Sequence, residues 1–276
     1  MSNYWIYETH TPGYEVRWRI TDILHQETTP FQKLEVVETV EFGRALILDG
    51  ALQISEKDEF IYHEMIAHVP MLSHPHPNRV LIVGGGDGGT LREVARHPEL
   101  QLVDMVEIDE RVVEASKRFF PQVASALNDP RLNLYIADGI EFARGNHGPY
   151  DVIIVDSSDP VGPAEPLFTV DFYRNLYNLL DEDGMVVVQS ESPLFFADSF
   201  KNVYSFLNQV FPLVQVYMAF IPTYVSGPWT FTVGSKKYRA DEIAENRSIP
   251  SPMKYYNRSI HKAAFALPEF ILQMLE

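Results

Sequence analysis

Carboxylates recur in this chain at spacings suited to binding cations and moving protons. Asp87 lies inside a glycine cluster, Gly84-Gly-Gly-Asp-Gly-Gly89, and Glu107 and Asp109 form Glu-Ile-Asp. Asp138 heads Asp-Gly139, and Asp156 and Asp159 bracket Asp-Ser-Ser-Asp. A glycine cluster permits positive φ and lets a ligand approach the main chain and the following helix N-terminus, a setting that ordinarily attracts anions. Asp87 reverses that preference, because a like charge beside an anionic ligand is costly. The ligand end near this turn is therefore expected to be cationic. Glu107 follows the turn at about 20 positions, where a carboxylate accepts hydrogen bonds from a ribose diol. Asp138 serves as an acceptor for an adenine amino group, as the N-cap of a short helix, or as both. Two acids three apart, Asp156 and Asp159, can hold a cation, or one can act as general base.

An alternation of strands and helices must position these groups. Apolar runs at Arg79–Val83, Val103–Ile108, Leu132–Ala137, Asp151–Val155 and Met185–Gln189 read as strands. Helical segments lie between them at Leu91–Arg96, Glu110–Phe119, Gly139–Arg144 and Phe172–Leu180, and Ser199–Val210 follows. This rhythm specifies an α/β fold with a mostly parallel sheet covered on both faces. Val214–Ile221 and Trp229–Gly234 are expected to close it as an antiparallel edge, and the tail from Ala240 reads as helical with breaks at Pro250, Pro252 and Pro268. Ligands of such sheets bind outside the carboxyl ends of the strands. The first four strands each end at a carboxylate with no Lys or Arg directly after, which describes an acidic crevice. The segment Asp156–Pro166, rich in proline and glycine, reads as a lid over it.

Residues 1–56 differ in character. Tyr14–Ile20, Gln32–Thr39, Arg44–Leu48 and Leu52–Ser55 read as strands, separated by turns at Glu41–Arg44 and Asp49-Gly50. So small a sheet needs to pack on the main domain or on another copy, and Val36, Val37, Leu46 and Ile47 supply an apolar surface for it. Asp58–Val69 then reads as a helix carrying His63 and His68. A zinc-protease reading fails there, since histidines five apart lie about 140° round a helix rather than on one face. His74-Pro-His-Pro77 reads as a stiffened linker, and no metal site is expected.

The 38 acidic and 22 basic side chains leave a net charge of −16, which disfavours nucleic acid and anionic membrane surfaces and favours cationic small molecules. With no cysteine, disulfides and thiolate chemistry are excluded. Met-Ser-Asn-Tyr-Trp-Ile-Tyr-Glu lacks the pattern of a signal peptide, and no apolar run is long enough to span a bilayer, so a cytoplasmic setting is expected.

Taken together, Gly-Gly-Gly-Asp-Gly-Gly, Glu-Ile-Asp, Ala-Asp-Gly, Asp-Ser-Ser-Asp-Pro-x-Gly-Pro-Ala and Pro222-Thr-Tyr-x-Ser-Gly227 resemble the spermidine synthases, the polyamine aminopropyltransferases. Leu48-Asp-Gly-x-x-Gln53 and Asp58-Glu-Phe-x-Tyr-x-Glu-Met65 extend the resemblance over nearly the whole chain. It implies a class I methyltransferase-like, Rossmann-type domain at 57–276 preceded by a small β domain at 1–56. It further implies transfer of an aminopropyl group from decarboxylated S-adenosylmethionine, a co-substrate rather than a bound cofactor, to putrescine, giving spermidine and methylthioadenosine. By the same resemblance Gln32, Glu107, Asp138, Gly139 and Pro163 hold the nucleoside, and Asp87 with Asp159 holds the amine of the aminopropyl arm. Gln53, Tyr62, His63 and Tyr224 line the diamine channel with Ser157 and Ser158, and Asp156 is the base. Some members carry Gln where this chain has His63, which can donate, accept or carry charge. The alternatives are a methyltransferase using S-adenosylmethionine and a non-catalytic polyamine-binding protein. A homodimer or homotetramer is expected.

Overall fold

The computed structural model describes residues 4–158 and 166–276. Asp159 and Pro163, and with them most of the expected lid, lie outside the described residues.

The chain begins with an antiparallel 5-stranded sheet in sequential order: β1 (Tyr4–Thr11), β2 (Tyr14–Thr28), β3 (Lys33–Thr39), β4 (Gly43–Leu48) and β5 (Ala51–Ser55). Sequence reading missed β1 and ended β2 too early. In β1 Tyr4, Trp5 and Tyr7 are all aromatic and exposed although Tyr4 lies on the face opposite Trp5 and Tyr7, so the apolar–polar alternation that marks a half-buried strand is absent. Asp49 and Gly50, with φ of 49° and 86°, make the two-residue turn between β4 and β5. One face of this sheet, with Leu34, Val36, Leu46 and Ile54, packs on Val112, Ala115 and Phe120 of the main domain. Val37 and Ile47 lie in a second cluster with Trp18 and Leu52. Of the two packings expected for the small sheet, that on the main domain is observed; Val36, Val37, Leu46 and Ile47 are buried within this chain, and the exposed apolar side chains here include Tyr4, Trp5, Tyr7 and Ile23.

The remainder builds a 7-stranded sheet. In chain order its strands are β6 (Arg79–Gly84), β7 (Leu102–Glu107), β8 (Leu132–Ile136), β9 (Tyr150–Asp156), β10 (Leu180–Gln189), β11 (Leu213–Ala219) and β12 (Trp229–Ser235). In space the order is β11-β12-β10-β9-β6-β7-β8, and only β12 runs against its neighbours, as the expected antiparallel edge requires. Helices α1 (Glu59–Ser73) and α2 (Gly89–Val94) cover one face, with a core that includes Met65, Val80, Ile82 and Val187. On the other, α4 (Gly139–Arg144), α5 (Val170–Leu179) and α6 (Ala197–Asn208) enclose Leu81, Val83, Val155 and Val188. Because β6, β9 and the Met185–Gln189 part of β10 are buried on both faces, they read as largely continuous apolar runs, whereas β8 at the edge is partly exposed. Helix α3 (Glu110–Phe119) runs between β7 and β8, where Asp109 caps it by accepting from Arg111 N at 3.0 Å.

Helix α1 continues past Val69, through Pro70, to Ser73, whose hydroxyl donates to Val69 O. The tail corrects a second expectation. Residues 240–257 contain no helix, and helices form only at α7 (Arg258–Ala264) and α8 (Glu269–Leu275). The buried carboxylate of Glu64 explains this path: it accepts the backbone N–H groups of Lys254, Tyr255 and Tyr256 at 2.8, 2.9 and 2.7 Å. Donors that a helix would satisfy internally are satisfied by α1 instead.

Candidate active site

Strand order reverses between β6 and β9: from β6 the chain proceeds outward to β7 and β8, then returns to β9 on the other side. At this switch Gly84 and Asp156 are register partners, and Gly85 N donates to Asp156 O at 2.8 Å. Gly84 has φ of 86°, and a Cβ there would stand 2.1 Å from Asp156 O. Glycine is thus required both by conformation and by close approach.

This junction fixes the Asp156 side chain over the crevice. Tyr62 Oη donates to its Oδ1 at 2.8 Å, and Thr90 Oγ1 to its Oδ2 at 2.7 Å. Burial and the neighbouring Asp87 raise the Asp156 pKa above the ordinary carboxylate value, against the opposing effect of His63 and the two hydroxyl donors. The group is a stronger proton acceptor than a free aspartate, with an orientation set by two hydrogen bonds.

Asp87 occupies the turn between β6 and α2. Its Oδ1 accepts from Gly89 N at 2.6 Å and lies 3.2 Å from His63 Nε2. The other ring nitrogen, Nδ1, is 2.6 Å from Glu59 Oε2 one turn earlier on α1. Arg92, on α2, grips both oxygens of Glu59 at 3.0 and 2.8 Å. The fully buried His63 ring presses on Gly89, where a Cβ would come within 2.2 Å of Cε1. Burial opposes a charge on His63, but the two carboxylates outweigh it and raise its pKa to about 10. Burial would likewise raise Asp87, yet His63, the Gly89 N–H and Arg92 bring it below the ordinary value.

Glu107 closes β7, the strand beside β6. Each of its oxygens accepts one backbone N–H, from Gly86 at 3.1 Å and Asp109 at 2.8 Å. Burial nonetheless raises its pKa to about 7. Gln32 reaches across from the small sheet to donate to Asp109 at 3.0 Å. Asp138 caps α4 by accepting from Ile140 N at 2.7 Å, which satisfies one of its two expected roles. Tyr224 packs edge-on to Tyr62 and donates to Gln53 O at 2.6 Å, tying the loop before β12 to β5.

One cavity of about 550 Å³ joins these groups. Gln32, Glu107, Asp138 and Gly139 line it, as do Asp87, Asp156, Ser157 and Ser158, and Gln53, Tyr62, His63 and Tyr224. Every described residue selected from the sequence therefore reaches the same space. Sequence reading missed Glu59, Arg92 and Thr90. Thr90 directly follows the glycine cluster, and Glu59 stands four before His63, one helical turn away, so spacing alone offered a signal for both. The acidic crevice is also less uniformly negative than the strand ends suggest, because His63 lines it and Arg92 stands behind Glu59. His63, Asp87 and Asp156 each bring a nitrogen or oxygen within 4.8 Å of the others.

Comparison with known proteins locates this arrangement. A spermine/spermidine synthase domain matches residues 59–244, and a spermidine synthase tetramerisation domain matches residues 4–56. The chain belongs to the spermine/spermidine synthase family. Among members of this family, the polyamine aminopropyltransferase of Bacillus subtilis is 46% identical over 276 residues, all of both chains. That of Bacillus cytotoxicus is 47% identical over 272 residues, covering 99% of each chain. A spermidine synthase solved with the transition-state analogue AdoDATO superposes with a TM-score of 0.96 at 38% identity, covering 100% of this chain and 96% of that one. Spermidine synthase from Thermotoga maritima gives 0.94 at the same 38%, covering 100% and 95%. The spermine/spermidine synthase fold accounts for both sheets, and the chain is a transferase. Among the described residues no helix is long and apolar enough to cross a membrane.

Proposed function

We propose that this enzyme transfers the aminopropyl group of decarboxylated S-adenosylmethionine to putrescine, forming spermidine and methylthioadenosine. The observation that carries this reading is the placement of two carboxylates in one cavity: Asp87 in the glycine turn and Asp156 at the neighbouring strand end, held by Tyr62 and Thr90. The decarboxylated donor has an ammonium where S-adenosylmethionine also carries a carboxylate, so Asp87 attracts the first and repels the second. Both observed contacts of Asp87 fall on Oδ1, which leaves Oδ2 for that ammonium. Glu107 and Gln32 are assigned to the nucleoside, and Tyr62, Tyr224 and Gln53 to the acceptor amine.

Chemistry follows from charge. A primary alkylammonium, with pKa near 10 on the order of lysine's, is no nucleophile until it loses a proton. Asp156 accepts that proton, and the freed lone pair attacks the aminopropyl methylene bound to sulfur. The carbon–nitrogen bond forms as the carbon–sulfur bond breaks, and its electron pair neutralises the sulfonium to a thioether. Positive charge moves from sulfur to nitrogen, beside the two carboxylates.

Assembly is proposed through the small sheet, whose family description is a tetramerisation domain and whose exposed Tyr4, Trp5, Tyr7 and Ile23 suit a contact with another copy. Division at residue 56 and a cytoplasmic setting belong to the same proposal, the latter on the absence of cysteine. Product analysis with purified protein tests the activity, using the decarboxylated donor, S-adenosylmethionine and a panel of di- and polyamines. Spermidine and methylthioadenosine from the first donor with putrescine are expected. Methylation of any amine, or binding without turnover, would overturn the assignment.

A further inference from the structure

Glu59 does not line the cavity, yet it is buried beside it with a carboxylate bound on two sides. Arg92 donates to both its oxygens, and the Arg92 Nε donates in turn to Glu93 Oε1 at 2.8 Å. Glu93 is itself held by His68 at 3.0 Å and Arg96 at 2.7 Å. Glu59 is thus anchored through α2 and cannot turn away from His63 without leaving buried charges unpaired.

His63 stands between this anchored carboxylate and that of Asp87, with oxygens 2.6 Å from Nδ1 and 3.2 Å from Nε2. A neutral imidazole has one N–H, so its other nitrogen would present a lone pair to a carboxylate oxygen in a dry site. The doubly protonated ring suits both neighbours: Nδ1 is hydrogen-bonded to Glu59, and Nε2, which has no hydrogen-bond partner among the described residues, stands at ion-pair distance from Asp87. We propose that Glu59, braced by Arg92, is a positioning residue that keeps His63 as a permanent imidazolium, which holds Asp87 in place and keeps Asp156 ionised.

The groups facing His63 support this from each element around it. Glu59 and the uncharged Tyr62 come from α1, Asp87 from the glycine turn, Arg92 from α2 behind Glu59, and Asp156 from the end of β9. Facing carboxylates outnumber facing cations, which favours the added proton. A cation at His63 in turn opposes the burial that pushes Asp156 toward its neutral form. The effect on kcat alone rests on the reading of Asp156 as base.

Two measurements test it. In protein labelled with 15N-histidine, the His63 signals, assigned by their loss in His63→Gln, should show both nitrogens protonated at pH 8; a neutral ring there overturns the proposal. In kinetics, Glu59→Gln should move the acid limb of kcat up by about one pH unit, the scale of one lost opposite charge. Activity should return within a few fold of wild type above the limb, as mere structural damage would not allow. In His63→Gln, adding Glu59→Gln should shift the limb no further. Equal loss at every pH, or an undiminished shift in that background, counts against the positioning role. Should Asp156→Asn retain the limb, the base assignment falls, while the spectrum of wild-type His63 still decides its charge, even if Glu59→Gln does not fold.

Discussion

Gly84 and Asp156 touch across the switch point of the sheet, the glycine's Cα side lying so close to Asp156 O that a Cβ would stand 2.1 Å away. The carboxylate proposed as base is thereby fixed by backbone contact as well as by its own hydrogen bonds. Gly84→Ala meets that contact with φ at 86°, a conformation costing a non-glycine residue about 1–2 kcal/mol before any clash. We expect a kcat loss of about 10²-fold from displacement of Asp156 by a fraction of an ångström or more, with a lowered Tm. Steady-state kinetics beside thermal unfolding measure both, and a variant with wild-type kcat would show that the junction tolerates movement.

Asp87 should decide between donors. Asp87→Asn keeps the side-chain shape and the acceptor for Gly89 N but removes the charge proposed to meet the donor ammonium. Affinity for the decarboxylated donor should fall, and its advantage over S-adenosylmethionine should narrow, by about tenfold or more if one charged hydrogen bond is at stake. Titration calorimetry with both nucleosides reads the ratio directly. An unchanged ratio would remove the electrostatic basis of donor selection.

Much of this site was legible because its residues sit where topology must place them. Asp87, Glu107, Asp138 and Asp156 each follow an apolar run, and strand ends at a switch point converge whatever the loops do. Glu59 and Arg92 were not legible in the same way. Glu59 offered a spacing signal toward His63, but its pairing with Arg92 arises from the packing of α1 on α2, a contact between helices that carries no local pattern. Strand β1 and the non-helical stretch before α7 were missed for related reasons. Exposed aromatic residues hide the alternation of the first, and a carboxylate nearly two hundred positions away satisfies the backbone of the second. Tertiary partners overrode local propensity in both.

Glu107 should make nucleoside binding sensitive to pH. Its pKa of about 7 in the folded protein exceeds the ordinary 4.5, so the folded state holds a proton there that the unfolded state has released. Its contribution to stability is full below about 4.5 and is lost as pH rises through about 7. A ribose diol reverses the balance, since two hydroxyl donors favour the carboxylate. Affinity for methylthioadenosine should therefore rise as pH passes through about 7 and level off above it. Glu107→Gln should bind more weakly and lose most of this dependence. Calorimetry from pH 5.5 to 8.5 provides the check, and a flat wild-type profile would contradict the assignment of Glu107 to the diol.

Asp156 should be the base that prepares the acceptor amine. Its position is backbone-fixed at Gly84, its two oxygens are bound by Tyr62 and Thr90, and burial with Asp87 nearby raises its proton affinity. The ionised form is the active one, so wild-type kcat should fall as pH drops through that raised pKa. Asp156→Asn preserves shape and the acceptor for one hydroxyl while abolishing basicity. It should lower kcat by roughly 10²-fold or more, leave donor affinity nearly intact and erase the acid limb. Tyr62→Phe offers a graded comparison. Loss of a donor to the carboxylate makes protonation easier, so the limb should survive but move to higher pH. Near-normal turnover by Asp156→Asn at neutral pH would place proton removal elsewhere, and the retained or lost limb in that variant separates solvent from a second protein group.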